Sequence, residues 1–391
     1  MNEVVIVSAV RSAVGRGKAD GSLAGVHPVD LSSTVMKEAI ARAGIDPAGI
    51  EDVQWGCAMP EASQGLNHAR LAWLRGGLPV ETSAATVNRF CSSGLQSVAY
   101  AAQAIIAGMG DTVMAGGIEM MSQVPMSGYN ARLSPEITES YIGMGFTAER
   151  VAKRWEITRE QQDRFAFESQ QKAAVAVTNR VFAPEIVPIP VKRTTWKGAA
   201  KTVTEIAFDT DECPRAETTL EGLTKLRPAF VPTGSVTAGN ASPFSDGAAA
   251  VLLMSAGKAK ELGLKPLARF VSFATGGVDP DIMGVGPIKA IPKALARAGL
   301  AMSDLKLIEF NEAFAAQALA VIKELGMDTS IVNVNGGAIA LGHPLGATGA
   351  KLTTQLVHEL GRRGGGYGMV TMCIGGGMGA AGIFEVYSDK G

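Results

Sequence analysis

Residues 88–117 read NRFCSSGLQSVAYAAQAIIAGMGDTVMAGG, and the fold follows from how this stretch is parsed. It opens on a polar, turn-like entry. Leu95, Val98, Ala99, Ala102, Ile105 and Ile106 then fall at three- and four-residue spacing, which predicts one face of a buried helix. Gly108 and Gly110 end that helix, and an apolar run follows that reads as a strand. Residues 333–377, NVNGGAIALGHPLGATGAKLTTQLVHELGRRGGGYGMVTMCIGGG, repeat the order turn, helix, strand. The segments upstream match as well. IARAGIDPAGIEDVQWG begins at residue 40 and LARAGLAMSDLKLIEF at residue 295. ARAG starts at residues 41 and 296, and Cys91 and His343 follow at similar distances. The chain is therefore expected to consist of two related halves.

Apolar runs at residues 4–7, 112–114, 251–254, 331–334, 369–372 and 383–386 predict strands. They alternate with helical patterns at residues 31–43, 161–177 and 351–360. Continuous apolar strands between helices predict an α/β protein whose sheets are covered on both faces. Residues 120–246 differ, holding polar helical material and two proline-containing links at 187–190 and 228–232. This segment is expected to be an insertion. The expected organisation is residues 1–119 with 247–269 as the N-terminal half, 120–246 as the insertion, and 270–391 as the C-terminal half.

With 391 residues, 47% of them hydrophobic and 19% charged, the chain can bury a large core. A net charge of −1 and the absence of a like-charge run argue against nucleic acid or a membrane surface as partner. No apolar stretch reaches membrane-spanning length, and the start, MNEVVIVSAVR, reads as a strand and not a signal peptide. Four scattered cysteines make no disulfide framework, so a reduced, cytoplasmic protein is expected. No CxxC or HxxxH pair is present, and no metal site is expected. Gly377, Gly379 and Gly382 formally match a dinucleotide fingerprint, but a strand and not a helix follows them.

Four places carry chemistry-bearing residues. Cys91 stands at a predicted helix start, where free N–H groups and the helix dipole favour thiolate. On position alone a nucleophile and an inert packed cysteine both fit. His343 lies in the glycine-rich loop GAIALGHPLGATGAK, held by backbone and able to take a proton from a thiol; an idle loop histidine fits too. Cys373 precedes Gly375, Gly376 and Gly377, whose N–H groups suit an oxyanion. Asn311, after a strand in EFNEAFAAQ, suits either a helix N-cap or the orientation of a water or carbonyl. In a pair of related sheets these strand and helix ends can converge on one cleft. Cys57, Cys213, His27, His68 and His358 read as bystanders.

The motifs NRFCSSGLQS, TAGNASPFSDGAA, NEAFA, GGAIALGHPLGATGA and CIGGGMG together resemble the thiolase family along essentially the whole chain. The resemblance implies a five-layered αβαβα fold, two pseudo-symmetric halves with an inserted loop domain that holds coenzyme A, and a homodimer or homotetramer. It implies Cys91 as acyl-accepting nucleophile and His343 as its proton acceptor. Asn311 would position a water in one oxyanion hole. Cys373 would be the acid/base at the acetyl carbon, and Gly375 with the Cys91 N–H would form the second oxyanion hole. Positions matched to coenzyme A are Arg215, Leu226, Phe230, Ala238 and Ser242; an exposed arginine with no ligand also fits residue 215. Met144, Met283, Ala313 and Phe314 would line the acyl pocket. Coenzyme A and acyl-CoA would be substrates, with no permanently bound cofactor.

The implied reaction is thiolysis of 3-oxoacyl-CoA to acetyl-CoA and a shortened acyl-CoA, as in fatty acid β-oxidation. Gly143 stands where short-chain members often carry histidine, which favours the broad-chain type. The alternatives are an acetoacetyl-CoA thiolase condensing two acetyl-CoA and, further off, a ketoacyl-synthase-like enzyme; Cys373 argues against the latter. Ser92 and Ser93 depart from the Gly-Ser that many members have after the cysteine.

Overall fold

The computed structural model describes residues 2–389 except residues 127, 131, 198 and 199. Strands Val4–Ser12, Thr112–Met120 and Ser245–Ser255 are buried along their full length. That two-sided burial is what their continuous apolar runs require. Five strands pair in the spatial order Ser83–Val87, Asp52–Cys57, Thr112–Met120, Ser245–Ser255, Val4–Ser12. The first two junctions are parallel and the last two antiparallel. Four strands of the second half repeat this scheme: Leu305–Phe310 lies parallel to Gly366–Ile374, which is antiparallel to Met378–Val386, itself antiparallel to Ala268–Gly277. The halves join where Val5 and Ile6 pair antiparallel with Arg269 and Ala268.

The expected strand at residues 331–334 is not formed. Thr329–Ile331 is a 3₁₀ turn capped by Asp328, whose Oδ1 accepts from Ser330 N at 2.9 Å. Only Val332 bridges to Ile308. Asn333 then adopts a left-handed conformation (φ +45°) and bonds the Phe310 backbone through both side-chain atoms at 2.8 Å. A side chain thus occupies the place of a strand on that edge.

Helices cover the sheets in layers. Pro28–Ala43 and His68–Arg75 pack on the outer face of the first sheet, with Leu31, Val35, Met36, Trp55 and Trp73 in the core. Pro287–Ala298 and Ala315–Leu325 cover the second sheet, with Ile291, Phe310 and Val321 inside. Between the sheets lie Ser93–Ile106 and Leu345–Arg362. Leu95, Val98, Ile105, Leu352 and Leu356 there share one core with residues of both sheets. The order helix, sheet, helix, sheet, helix is the αβαβα fold.

Glycine sets how closely the two central helices approach. A Cβ on Gly94 would lie 2.7 Å from Ala350 N, and one on Gly349 would lie 2.1 Å from Leu95 N. Backbone therefore meets backbone within the first turns of both helices. The chain segments that enter those helices carry Cys91 and His343.

Between Met120 and Ser245 the chain leaves the sheet, returning only where Ile186 and Val187 pair parallel with Arg11 and Ser12. It forms helices Met144–Arg154 and Arg159–Thr178 and the hairpin Ile189–Lys197 with Ala200–Phe208. The longer helix starts with a capping box between Thr158 and Gln161. Arg11 ties the excursion to the first strand. Its Nε donates to Glu185 Oε1 at 2.6 Å, and Nη1 and Nη2 donate to Asp211 at 2.8 and 2.9 Å.

Candidate active site

Three local contacts shape the turn that presents Cys91. Asn88 Nδ2 donates to Ala58 O at 3.1 Å, and Asn88 Oδ1 accepts from Phe90 N at 2.8 Å. Phe90 is held at φ +44°, a left-handed conformation that non-glycine residues rarely adopt. Ser93 Oγ closes the turn by accepting from Arg89 N at 2.9 Å and donating to Phe90 O at 2.7 Å. Cys91 sits in the 3₁₀ turn Phe90–Ser92, one turn before the helix proper. The backbone amides of Gly375 and of Cys91 itself favour the ionised sulfur. Burial nonetheless pushes its pKa up to about 11. Burial thus favours the thiol, against the thiolate that a helix N-terminus favours.

His343 follows Gly342, whose backbone is left-handed (φ +89°), and its N–H donates to Ser245 Oγ at 3.1 Å. Its ring bridges two side chains. Nδ1 is 2.6 Å from Thr348 Oγ1, and Nε2 is 3.3 Å from Asn311 Nδ2. With the Asn311 amide donating to Nε2, Nδ1 carries the proton and donates to Thr348. Burial, then the nearby Lys351 charge, lowers the imidazole to about 3, so it is neutral at rest. Leu345, two residues further on, packs against Cys91.

Of the two roles open to Asn311, the helix N-cap is taken by Phe314. The helix begins at Ala315, four residues later. Asn311 instead prolongs strand pairing, donating its N–H to Thr371 O at 3.0 Å. Its side-chain Oδ1 is buried without a partner among the described residues. Cys373 lies inside strand Gly366–Ile374 and not beyond it, paired with Gly379. It packs with Met283, Ala313 and Phe314, while Met144 and Ala241 close the same cluster. Burial, then the neighbouring Cys91 sulfur, raises its pKa well above the ordinary thiol value. The turn that holds Cys91 and the strand that holds Cys373, one from each half, pack against each other.

The other expected contacts divide. Met144 lies at Gly375, where a Cβ would be 3.6 Å from its sulfur. Phe230 stands edge-on between Phe314 and Phe146, with centroid distances of 6.1 and 6.3 Å. This aromatic row runs from the buried Phe314 beside Cys373 to the exposed Phe146. Ser242 N and Oγ both donate to Ala313 O at 3.0 Å, joining its loop to the pocket wall. Leu226 and Ala238 are exposed. Arg215 is also exposed, anchored by its backbone N–H to Gln170 Oε1 at 2.8 Å.

Sequence reasoning missed Thr348 and Glu119. Thr348 lies five residues after His343 on a helix face, inside the motif GGAIALGHPLGATGA, but a threonine there carries no chemistry of its own to mark it. Glu119 ends an apolar strand, where a buried carboxylate needs donors. It accepts from Ala58 N and Gly346 N at 2.9 Å, from Gln64 Nε2 at 2.7 Å and from Met59 N at 3.3 Å. It thereby clamps the loop after Cys57 to the helix that follows His343. A charge at the end of the run MAGGIEM was the available signal.

Layers and pocket together place the chain among the α/β acyltransferases. The family description "Thiolase, N-terminal domain" matches residues 4–257, and "Thiolase, C-terminal domain" matches residues 264–386. The chain belongs to the thiolase family. It is 55% identical to the 3-ketoacyl-CoA thiolase of Bacillus subtilis over 391 residues, covering 99% of this chain and 100% of that protein. It is 48% identical to an acetyl-CoA acetyltransferase of Pseudomonas aeruginosa, covering 97% and 98% of the two chains. The crystal structure of the Bacillus anthracis acetyl-CoA acetyltransferase superposes with a TM-score of 0.89 at 43% identity, covering 99% of each chain. Among the described residues no helix is long and apolar enough to cross a membrane.

Proposed function

We propose that this enzyme cleaves 3-oxoacyl-CoA with coenzyme A, releasing acetyl-CoA and an acyl-CoA two carbons shorter. The Cys91 sulfur attacks C3 of the substrate while His343 Nε2 takes the thiol proton. Attack by a neutral thiol–imidazole pair suits two buried groups, since neither need carry charge until the bond forms. The C2–C3 bond then breaks. Its electrons pass to C2, which takes the Cys373 proton, and the shortened acyl group stays on Cys91. Incoming coenzyme A gives its thiol proton to the Cys373 thiolate and attacks the acyl carbon. Cys91 leaves and recovers its proton from His343. Asn311 with His343, and the N–H groups of Gly375 and Cys91, receive the developing oxyanions.

The observation that carries this reading is that the turn holding Cys91 packs against the strand holding Cys373: a Cβ on Gly375, two residues beyond Cys373, would lie 3.8 Å from the Phe90 ring. The aromatic row from Phe314 through Phe230 to Phe146 supports a pantetheine path out of the pocket. Leu226, Ala238 and Ser242 flank that path on this reading, and Arg215 contacts the phosphates of coenzyme A. Residues 120–246 act as the coenzyme-binding insertion between halves formed by 1–119 with 247–269 and by 270–391. The enzyme works as a homodimer or homotetramer in the cytoplasm. The 3-ketoacyl-CoA thiolase relative and Gly143, the N-cap of helix Met144–Arg154 where short-chain members often carry histidine, support the broad-chain, degradative type. The relatives named acetyl-CoA acetyltransferase support a second reading, condensation of two acetyl-CoA on the same residues. Thiolysis rates on C4 and C12 3-oxoacyl-CoA separate the two. Comparable or faster C12 turnover is expected, and activity confined to C4 overturns the broad-chain reading. Turnover retained in Cys91→Ser overturns the mechanism.

A further inference from the structure

The pocket has two apolar sides. Met283, Ala313, Phe314 and Met144 gather at Cys373, and the aromatic row leads outward from there. Cys91 belongs to a different cluster, in which it packs with Ala58, Met59, Met121, Met126 and Leu345. Met121 and Leu345 are buried, whereas Met59, Met126 and Cys91 are half-buried, so this cluster reaches the surface. Three of its members are methionines, whose unbranched, polarisable side chains repack around differing shapes.

The backbone behind them is laced. Ser63 Oγ donates to Gln123 Oε1 at 2.7 Å, Gln64 Oε1 accepts from Met120 N at 2.7 Å, and Gln64 Nε2 donates to Met59 O at 2.9 Å. Tyr129 Oη donates to Gln123 O at 2.7 Å. The segments 58–64 and 120–126, with Tyr129, are thus held together by polar bonds, and their methionines share the apolar cluster on which Cys91 packs. Fixed backbone with pliable apolar side chains suits a ligand of constant chemistry and variable length.

We propose that the acyl chain carried on Cys91 lies against Met59, Met121, Met126 and Leu345, and that these residues set the range of saturated, unbranched chains the enzyme accepts. This rests on Cys91 being the acylated residue. Coenzyme A enters past Phe230 and Phe314, so the acyl tail and the pantetheine leave the reacting carbon on opposite sides of the pocket.

The test uses the unaltered enzyme and octanoyl-CoA with a diazirine at the chain terminus. In one half-reaction the Cys91 thiol displaces coenzyme A, giving the octanoyl thioester and free CoA thiol. Intact mass and peptide mapping report the adduct on Cys91, and its absence overturns the acylation reading itself. Irradiation then inserts the tail into whatever lines it. Cross-links to peptides containing Met59, Met121 or Met126 are expected. An adduct on Cys91 whose cross-links fall only on the Met144, Met283 or Phe314 peptides overturns the wall while leaving acylation standing. A second measurement compares kcat/KM on C12 and C4 3-oxoacyl-CoA. Met126→Trp fills that side and should lower the C12:C4 ratio at least about tenfold, whereas Met126→Leu should hold it within about threefold. A folded Met126→Trp enzyme with the parent ratio contradicts the proposal.

Discussion

Replacing Thr348 by valine exchanges one hydroxyl for a methyl group on the helix behind His343. At rest the 2.6 Å contact between Thr348 Oγ1 and Nδ1 joins two neutral groups. When His343 takes the Cys91 proton the ring becomes an imidazolium, and the Nδ1–H bond becomes charge-assisted. Bonds of that kind contribute about 1.5–3 kcal/mol, and in valine's place the buried N–H has no acceptor. At about 1.4 kcal/mol per tenfold, acylation should slow by about 10- to 150-fold. The loss belongs to the step that charges the ring, so kcat should fall with KM little changed. Stopped-flow release of coenzyme A from acetyl-CoA, with excess enzyme, measures that step directly. Thr348→Ser restores the hydroxyl and should recover most of the rate, which a purely packing role would not require. Acylation by Thr348→Val within about threefold of the parent, or a serine variant as slow as the valine one, refutes the reasoning.

Arg11→Leu leaves the Glu185 and Asp211 carboxylates buried without their cation. It should cost about 3–5 kcal/mol in urea unfolding, and a change below 1 kcal/mol contradicts the role assigned to that cluster. His68 is buried with Nε2 2.8 Å from Ser32 Oγ, and burial lowers its pKa from 6.5 to about 4. The unfolded chain therefore binds a proton there first as pH falls. The contribution is intact above pH 6.5 and is lost on the way down to pH 4, by about 3 kcal/mol. His68→Gln should flatten the acid dependence of the urea midpoint by that amount; an unchanged slope refutes it. Because the Cys91 thiol lies near 11, its alkylation by iodoacetamide should climb about tenfold per pH unit from 7 to 9 and outrun the more deeply buried Cys57 and Cys213. A plateau below pH 9 contradicts this.

The repeat was legible because apolar periodicity survives in both halves. The helix after Cys91 buries the residues its spacing predicted, apart from the half-buried Ile106. The motifs also marked which loops would meet. What they did not show was how burial changes each group. A sequence suggests a helix N-terminus at Cys91 but not the desolvation that keeps its proton on. Residues 331–334 have strand composition, yet Asp328 and Asn333 bond the backbone before a ladder can form. Asn311 resembles a cap, but strand pairing through its N–H carries it past the strand end into the pocket. Thr348, Met59 and Met126 become functional candidates only through distances, since threonine on a helix and methionine in a loop carry no mark of their own.

Division of labour between two thiols in one pocket is tested most directly in Cys373→Ser. Given acetyl-CoA, this variant should still show the acetyl adduct on Cys91 by intact mass. Given 3-oxoacyl-CoA, it should lose C–C cleavage by several orders of magnitude, because no group of suitable acidity protonates C2. Cleavage near the parent rate, or an acetyl adduct found elsewhere than Cys91, would contradict the account.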